Sequence, residues 1–292
     1  GVAATTQGAL ALSPDGRRLY AVNGGSGTIA VFAVHGTHLT RLAVVPSGGA
    51  GPASLTAGHG RVYVVNAGGL NVVGFRVTGH GLRRIHRGSV ALASADAGPA
   101  EVSLNPAGTA LAVTNTASNT IDTITLRRHG AIRRLRSFAS TGTTPFGFGF
   151  TRSGVLVVSD AHQAPTSAAS SYRIGHTGAL ELLSGPVAAN QLAACWVAIN
   201  GRIAYTANAG SGTISAFRVG GDGRLHLRGV VASPGSTSTP LDESVTPGGG
   251  YLDVLTSGLN SITSYRIGQH GTLVPVGSVG GLPAGDVSVA SS

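Results

Sequence analysis

Short runs in which apolar residues alternate with small or polar ones recur along this chain, and their period of two is that of a half-buried strand. The clearest run is LYAVNGGSGTIAVFAV, residues 19–34, which predicts two strands joined by a tight Gly/Ser/Asn loop. Residues of that kind accept positive φ or bond to their own backbone, so they turn the chain. The pattern returns as VYVVNAGGLNVVGFRV, LAVTNTASNTIDTITL, LVVSDAHQAPTSAASSYRI, AYTANAGSGTISAFRV and YLDVLTSGLNSITSYRI. An anchor position at the end of the first strand of each pair, read as Asn23, Asn66, Asn115, Asp160, Asn208 and Ser257, returns every 43 to 49 residues. Repeats of this length with about four strands each predict an all-β fold, a β-propeller of four-stranded blades.

Each repeat divides into four strands. The first follows Pro or a Gly-rich loop (GALALS, PASLTA, PAEVSLN, PFGFGFT, ACWVAI, PLDESVT), a short turn leads into the central pair, and a second hairpin carrying His-Gly or Asp-Gly leads to the fourth. Turn chemistry and strand period agree in every repeat, as they do in a sequence that specifies one fold. Six complete blades are expected at about 8–51, 52–98, 99–144, 145–193, 194–239 and 240–285, in a single domain. Residues 286–292 read as the first strand of a seventh blade and residues 1–7 as the tail of its fourth. A seven-bladed propeller is the expectation and a six-bladed one the alternative. The missing strands belong to a lost upstream segment, are not needed because six blades close by themselves, or come from another molecule.

Composition narrows the functional classes. No run of 18 apolar residues is present, so no helix is expected to span a membrane. The chain shows no signal peptide but starts mid-pattern without Met, which suggests that an upstream segment was removed. The net charge is +9, and all 20 cationic residues are Arg. Cys195 is the sole cysteine, which excludes an intramolecular disulfide, and its apolar ACWVAI setting reads as a buried structural thiol.

The segments LSPDGRRLYAVN, TPFGFGF, ACWVAI followed by AYTANAGSGTI, and GLPAG resemble the secreted actinobacterial members of the 6-phosphogluconolactonase-like family of seven-bladed propellers. The resemblance covers nearly the whole chain and implies a seven-bladed propeller, a secreted or extracytoplasmic location, and a lactonase ancestry. It is specific for fold and weak for chemistry, because one fold carries unrelated functions.

Strand order places the four-to-one and two-to-three loops on one face, the usual binding funnel of a propeller, and the other turns on the opposite face and rim. None of the arginines falls in a funnel loop. Asp96, Asp160, His162 and Asp286 do, with Glu101, Asp242 and Glu243 near the start of inner strands. A phosphorylated lactone needs cations or a helix end to hold it. The family's GPRH-type segment also has no match here, so both features argue against phosphogluconolactone hydrolysis. Hydrolysis of a neutral lactone needs a general base or metal and an oxyanion donor. The candidates are Asp160 with His162, and Asp242 with Glu243, the last two also as a cation site. Plainer readings stand beside them: Asp160 capping its own turn next to a solvated His162, Asp242 and Glu243 on a solvated strand edge, and Glu101 facing water or a backbone donor.

His35, His80, His129, His176 and His270 recur at outer hairpins and are loop chemistry, too far apart for a metal site. Arg127, Arg128, Arg133, Arg134 and Arg136 form an Arg-rich segment that is either a solvated hairpin or an anion-binding rim for an anionic cell-envelope polymer. The same segment could attract nucleic acid through its phosphates, but no aromatic residues interleave with it, so base stacking is not indicated and no specific nucleic-acid partner is expected. No P-loop, Rossmann or zinc motif is present, and no cofactor is expected. The first expectation for function is a non-catalytic binding or assembly module that self-associates through its incomplete blade. A neutral-lactone hydrolase and an anionic-polymer binder are the alternatives.

Overall fold

The computed structural model of the protein describes residues 7–162, 166–283 and 288–291. Asp286 and residues 1–6, assigned above to the incomplete blade, lie outside the described residues. The described chain contains 24 strands in six antiparallel four-stranded sheets, each in simple meander order, which is the blade of a β-propeller. Among the described residues, helical structure is limited to three single 3-10 turns. The strands belong to two compact units.

The first unit, residues 1–139 with the turn 175–179, holds three blades. Blade one is β1 (Leu10–Leu12), β2 (Arg18–Asn23), β3 (Thr28–His35) and β4 (His38–Pro46). Blade two is β5 (Pro52–Gly58), β6 (Arg61–Asn66), β7 (Asn71–Thr78) and β8 (Gly81–Ala91). Blade three is β9 (Pro99–Leu104), β10 (Ala110–Asn115), β11 (Thr120–Leu126) and β12 (Ile132–Ala139). Between blades one and two Tyr20, Ile29 and Val31 pack on Val62, Val64 and Phe75. Between two and three, Tyr63, Val65 and Val72 pack on Val102, Leu111 and Val113.

The second unit holds the other three blades. Blade four is β13 (Pro145–Phe150), β14 (Val155–Asp160), β15 (Ala168–Ile174) and β16 (Leu180–Ala188). Blade five is β17 (Ala194–Asn200), β18 (Ile203–Asn208), β19 (Thr213–Val219) and β20 (Leu225–Ala232). Blade six is β21 (Pro240–Val245), β22 (Tyr251–Thr256), β23 (Ser261–Ile267) and β24 (Leu273–Gly280). Val157 and Ala169 meet Val197 and Phe217, and Tyr205, Ile214 and Ala216 meet Leu252, Val254 and Tyr265.

The anchor residues close the loop between the two central strands of a blade. Asn23, Asn115 and Asn208 each donate from Nδ2 to the Thr five residues on, at 3.0 to 3.2 Å, and Asn66 donates to Asn71 Oδ1 at 2.9 Å. Register corrects the sixth anchor: Thr256, not Ser257, pairs with Ser261 as Asn23 pairs with Thr28. The Thr256 hydroxyl lies 2.8 Å from that of Ser261.

The first strand of blades two to six slips register after its first residue, between Pro52 and Ser54, Pro99 and Glu101, Pro145 and Phe148, Ala194 and Trp196, and Pro240 and Glu243. Pro has no N–H to place in a ladder and is tolerated at the start of an edge strand, and the bulge twists the strand behind it. The far edge of the first strand still presents unpaired amides: the Gly8 carbonyl accepts from Leu55 N–H in β5 at 2.8 Å, and in β9 and β17 side chains of the adjacent blade answer them. Ser54 Oγ accepts from Val102 N–H at 3.2 Å and Thr56 Oγ1 from Leu104 N–H at 3.2 Å. The Ser159 hydroxyl donates to the Cys195 carbonyl at 2.7 Å.

Further out, other side-chain hydroxyls reach the outer hairpin of the next blade. Tyr63 Oη donates to the Gly130 carbonyl at 2.8 Å and Ser171 Oγ to that of Gly223 at 2.7 Å. Gly74 is bare because the Tyr63 ring lies 2.7 Å from where its Cβ would be. Tyr205 occupies the place of Tyr63 in blade five, but its buried hydroxyl meets no partner among the described residues. The two tyrosines therefore respond differently to loss of the hydroxyl. Tyr63→Phe leaves the Gly130 carbonyl unpaired and is expected to lower unfolding free energy by about 1 kcal/mol in urea titrations, whereas Tyr205→Phe is neutral or slightly stabilising.

Candidate functional site

Asp160 ends β14, paired with Pro145 and Ala168, so it lies in a strand rather than in the loop where the sequence reading put it. It is buried. Ser170 Oγ donates to its Oδ2 at 2.6 Å, and the Gly142 backbone lies so close to the carboxyl that a Cβ there would strike it. Burial raises the Asp160 carboxyl to about 7 against the smaller opposing effect of the Ser170 hydroxyl. His162 lies two residues on and is exposed, and its backbone N–H donates to the Asp160 carbonyl at 2.9 Å. One member of the proposed pair thus points inside and the other lies in solvent.

Asp242 and Glu243 are both buried in β21, not on a solvated edge. They answer backbone amides on either side. Glu243 Oε1 accepts from Ala198 N–H in the first strand of blade five, at 3.1 Å. Asp242 Oδ1 accepts from Glu243 N–H at 3.0 Å, and its Oδ2 accepts from Ser288 Oγ at 2.5 Å and Val289 N–H at 3.1 Å. The Val289 bond repeats the Ser54–Val102 contact of the first unit, so residues 288–291 lie against blade six as the next first strand would. Ser291 completes the attachment through Ser244 Oγ and Asp253 Oδ2.

Desolvation lifts Asp242 to about 7 and Glu243 well above the usual carboxylate range, with the neighbouring Asp242 charge adding to the rise. A carboxyl that holds its proton is a poor cation ligand. Among the described residues no group of three or more His, Cys, Asp or Glu side chains could hold a metal ion. Glu101 is also buried, at the position in β9 that Asp242 has in β21.

Asp122 was missed in the sequence. It is fully buried in β11, where the equivalent residues of blades four and five are Ser170 and Ser215. Its Oδ2 lies 3.4 Å from the Ala93 N–H, and Oδ1 meets no donor among the described residues. The signal available was the acid in TIDTITL at a place that elsewhere holds Ala, Val, Ser or Thr. Cys195 is only partly covered, yet burial pushes its thiol up to about 12, so it is no ready nucleophile.

The arginines divide into two groups. Arg18 donates to the Thr78 and Gly79 carbonyls at 2.6 and 3.0 Å, and Arg61 to those of Gly108 and Arg128 at 3.2 and 3.0 Å, so both clamp one blade to the next. Arg136 lies over the Phe138 ring, 5.3 Å from its centroid. Arg127, Arg128, Arg133 and Arg134 are exposed.

The buried acids set a pH dependence. Asp160 and Asp242 titrate near 7 when folded and near 3.8 when unfolded, so between those values the unfolded chain has lost protons that the folded chain keeps. Stability is then greatest below about pH 4, falls as pH rises toward 7 and levels off above it, by up to a few kcal/mol for each carboxyl. Asp160→Asn copies the anchors of blades two, three and five and is expected to remove its share of this slope. Urea titrations at pH 5 and 8 check it, and an unchanged slope would show that Asp160 ionises normally.

A family profile described as Lactonase, 7-bladed beta-propeller matches residues 2–81. No curated protein matches the sequence. Among solved structures, a putative 6-phosphogluconolactonase from Bacteroides fragilis superposes with a TM-score of 0.74 at 19% identity, over 93% of this chain and 83% of that one. The periplasmic gluconolactonase PpgL of Pseudomonas aeruginosa gives 0.73 at 17%, over 94% and 86%. Kuenenia stuttgartiensis hydrazine synthase gives 0.71 at 15%, over 96% and 88%. At these identities the superpositions speak for fold alone, and the spread of activities shows how little the fold decides. The six four-stranded blades make the chain a β-propeller, and its residues 2–81 are similar to the lactonase family of such propellers.

Proposed function

We infer that this propeller is an extracytoplasmic, non-catalytic binding and assembly module whose partner is a second copy of itself. The observation that carries the reading is that, among the described residues, blades one and six each expose apolar side chains on one sheet face. In blade two, Val62, Val64 and Phe75 are buried against blade one. Their counterparts in blade one, Leu19, Ala21 and Phe32, are only half-buried, and beside them Leu39 and Val44 of β4 are 52% and 49% exposed. In blade six, Ile262 is half-buried where Val72 of blade two is buried, and Val276 and Val279 of β24 are 53% and 68% exposed. Ile262, Val276 and Val279, with Asp253 and Val289, line an open groove of about 630 Å³.

These are rows of β-branched and aliphatic side chains of the kind that the inner blades bury, and apolar faces of this sort mark association surfaces. The two faces differ in sequence, so pairing one with the other between copies is a head-to-tail contact, which builds chains or closed assemblies. Buried Asp160, Asp242 and Glu243 support the non-catalytic part of the reading. Each is buried and engaged with a hydroxyl or a backbone amide of the fold itself. The extracytoplasmic part has the likeness to a periplasmic relative in its favour.

Light scattering on the 292-residue chain tests the reading. Particles larger than 28.9 kDa are expected at micromolar concentration, and Val279→Arg or Leu39→Arg should return them to monomer with the fold intact by circular dichroism. A wild-type monomer at 100 µM would overturn it. A panel of neutral lactones tests the alternative: turnover lost in Asp242→Asn or Asp160→Asn variants that still fold would move the protein to the hydrolases.

A further inference from the structure

Blade two carries a row of like charges that no other blade has. Register sets Arg61 directly opposite Arg76, and Arg76 directly opposite Arg83, so three guanidinium side chains leave one face of three adjacent strands side by side. Like charges directly opposed across strands repel. The other blades show what the position ordinarily holds: Arg18, Ala33 and Thr40 in blade one, Ala110, Thr125 and Arg134 in blade three, and Ile203, Arg218 and His226 in blade five. In blade four the central Arg173 is opposed by Glu181. Blade two replaces that acid with a third arginine.

The surroundings make the repulsion worse. Residues 52–139 hold ten arginines against Asp96, Glu101 and Asp122, and of these acids Asp96 alone is exposed, on the loop at the opposite end of the strands. The one ion pair among the described residues, Arg224 with Asp222, lies elsewhere. Arg61 is fixed by the Gly108 and Arg128 carbonyls, which holds the exposed Arg127 and Arg128 turn beside the row. Arg76 and Arg83, with Arg84, Ile85 and His86, line a cavity of about 360 Å³. The cavity is open, cationic and without a carboxylate.

We propose that this row is an anion-binding site for a phosphate-bearing polymer, with Arg76 and Arg83 as its primary contacts and Arg127 and Arg128 extending it along the chain of charges. The guanidinium fork matches a tetrahedral phosphate oxygen pair, and a phosphate seated between opposed arginines removes the repulsion that the sheet otherwise bears. No Phe, Tyr or Trp lines the cavity, so the chemistry read is the phosphate group rather than a stacked base. The site is independent of self-association, since it lies within blades two and three.

The test uses the intact chain and inorganic polyphosphate, followed by fluorescence anisotropy from 50 to 300 mM salt. Affinity is expected to fall with added salt. Arg76→Gln with Arg83→Gln should weaken binding by at least about tenfold and reduce the log–log salt slope by about two. Both residues are exposed, so folding is preserved, and circular dichroism verifies it. Arg173→Gln, the same strand position opposite Glu181, should change nothing. Equal affinity of the double variant, or of polyglutamate and polyphosphate for the wild type, would overturn the proposal, the first by removing the site and the second by removing its preference for phosphate.

Discussion

Every blade of this protein begins with an edge strand, and an edge strand carries backbone groups that its own sheet cannot satisfy. Buried amides of that kind must find partners, and the cost of leaving one unpaired is of the order of a whole hydrogen bond. The chain meets the demand with side chains borrowed from the adjacent blade. Ser54 and Thr56 serve β9, Ser159 serves the Cys195 carbonyl, Glu243 serves β17, and Asp242 serves residues 288–291. Blade packing within each unit is therefore polar at its inner margin, apolar through Tyr63, Val157 or Phe217 in the middle, and polar again where Tyr63 and Ser171 reach the outer hairpins.

The same requirement explains why acidic residues at the start of inner strands mislead a search for catalysis. A carboxylate has more acceptor capacity than a serine, so Asp242 can take three donors where Ser54 takes one from the adjacent strand. The arrangement looks like a pair of catalytic acids in the sequence and is an edge cap in space. Burial then raises the proton affinity of Asp242 and Glu243 above the ordinary carboxylate range, a property that active sites share and that does not by itself identify one.

The fold was legible because its signals repeat. Alternation, loop residues and the anchor position each returned six times, the anchor as Asn in four blades, and one misplaced anchor, Ser257 for Thr256, did not disturb the register. The site was less legible, for physical reasons that differ by residue. Asp160 sits in a sequence that reads as a loop, yet the strand runs one residue further and draws it inside. Asp242 and Glu243 alternate across a strand whose two faces are both covered, which a period of two cannot reveal. The clamping roles of Arg18 and Arg61 depend on the next blade's hairpin, some 47 to 67 residues away in sequence. Asp122 needed comparison of equivalent positions rather than a motif.

The anchors have one more consequence. Because an Asn, Thr or Asp at the end of one central strand is tied to a residue at the start of the next, the ladder is fixed before the loop between them is specified. Blade four shows this: Asp160 still pairs with Ala168 and holds Ser170 although its connection is longer than that of any other blade. Loop length is thereby uncoupled from strand register. Lineages can lengthen these connections, and protein engineers can graft recognition loops into them, without rebuilding the blade that carries them.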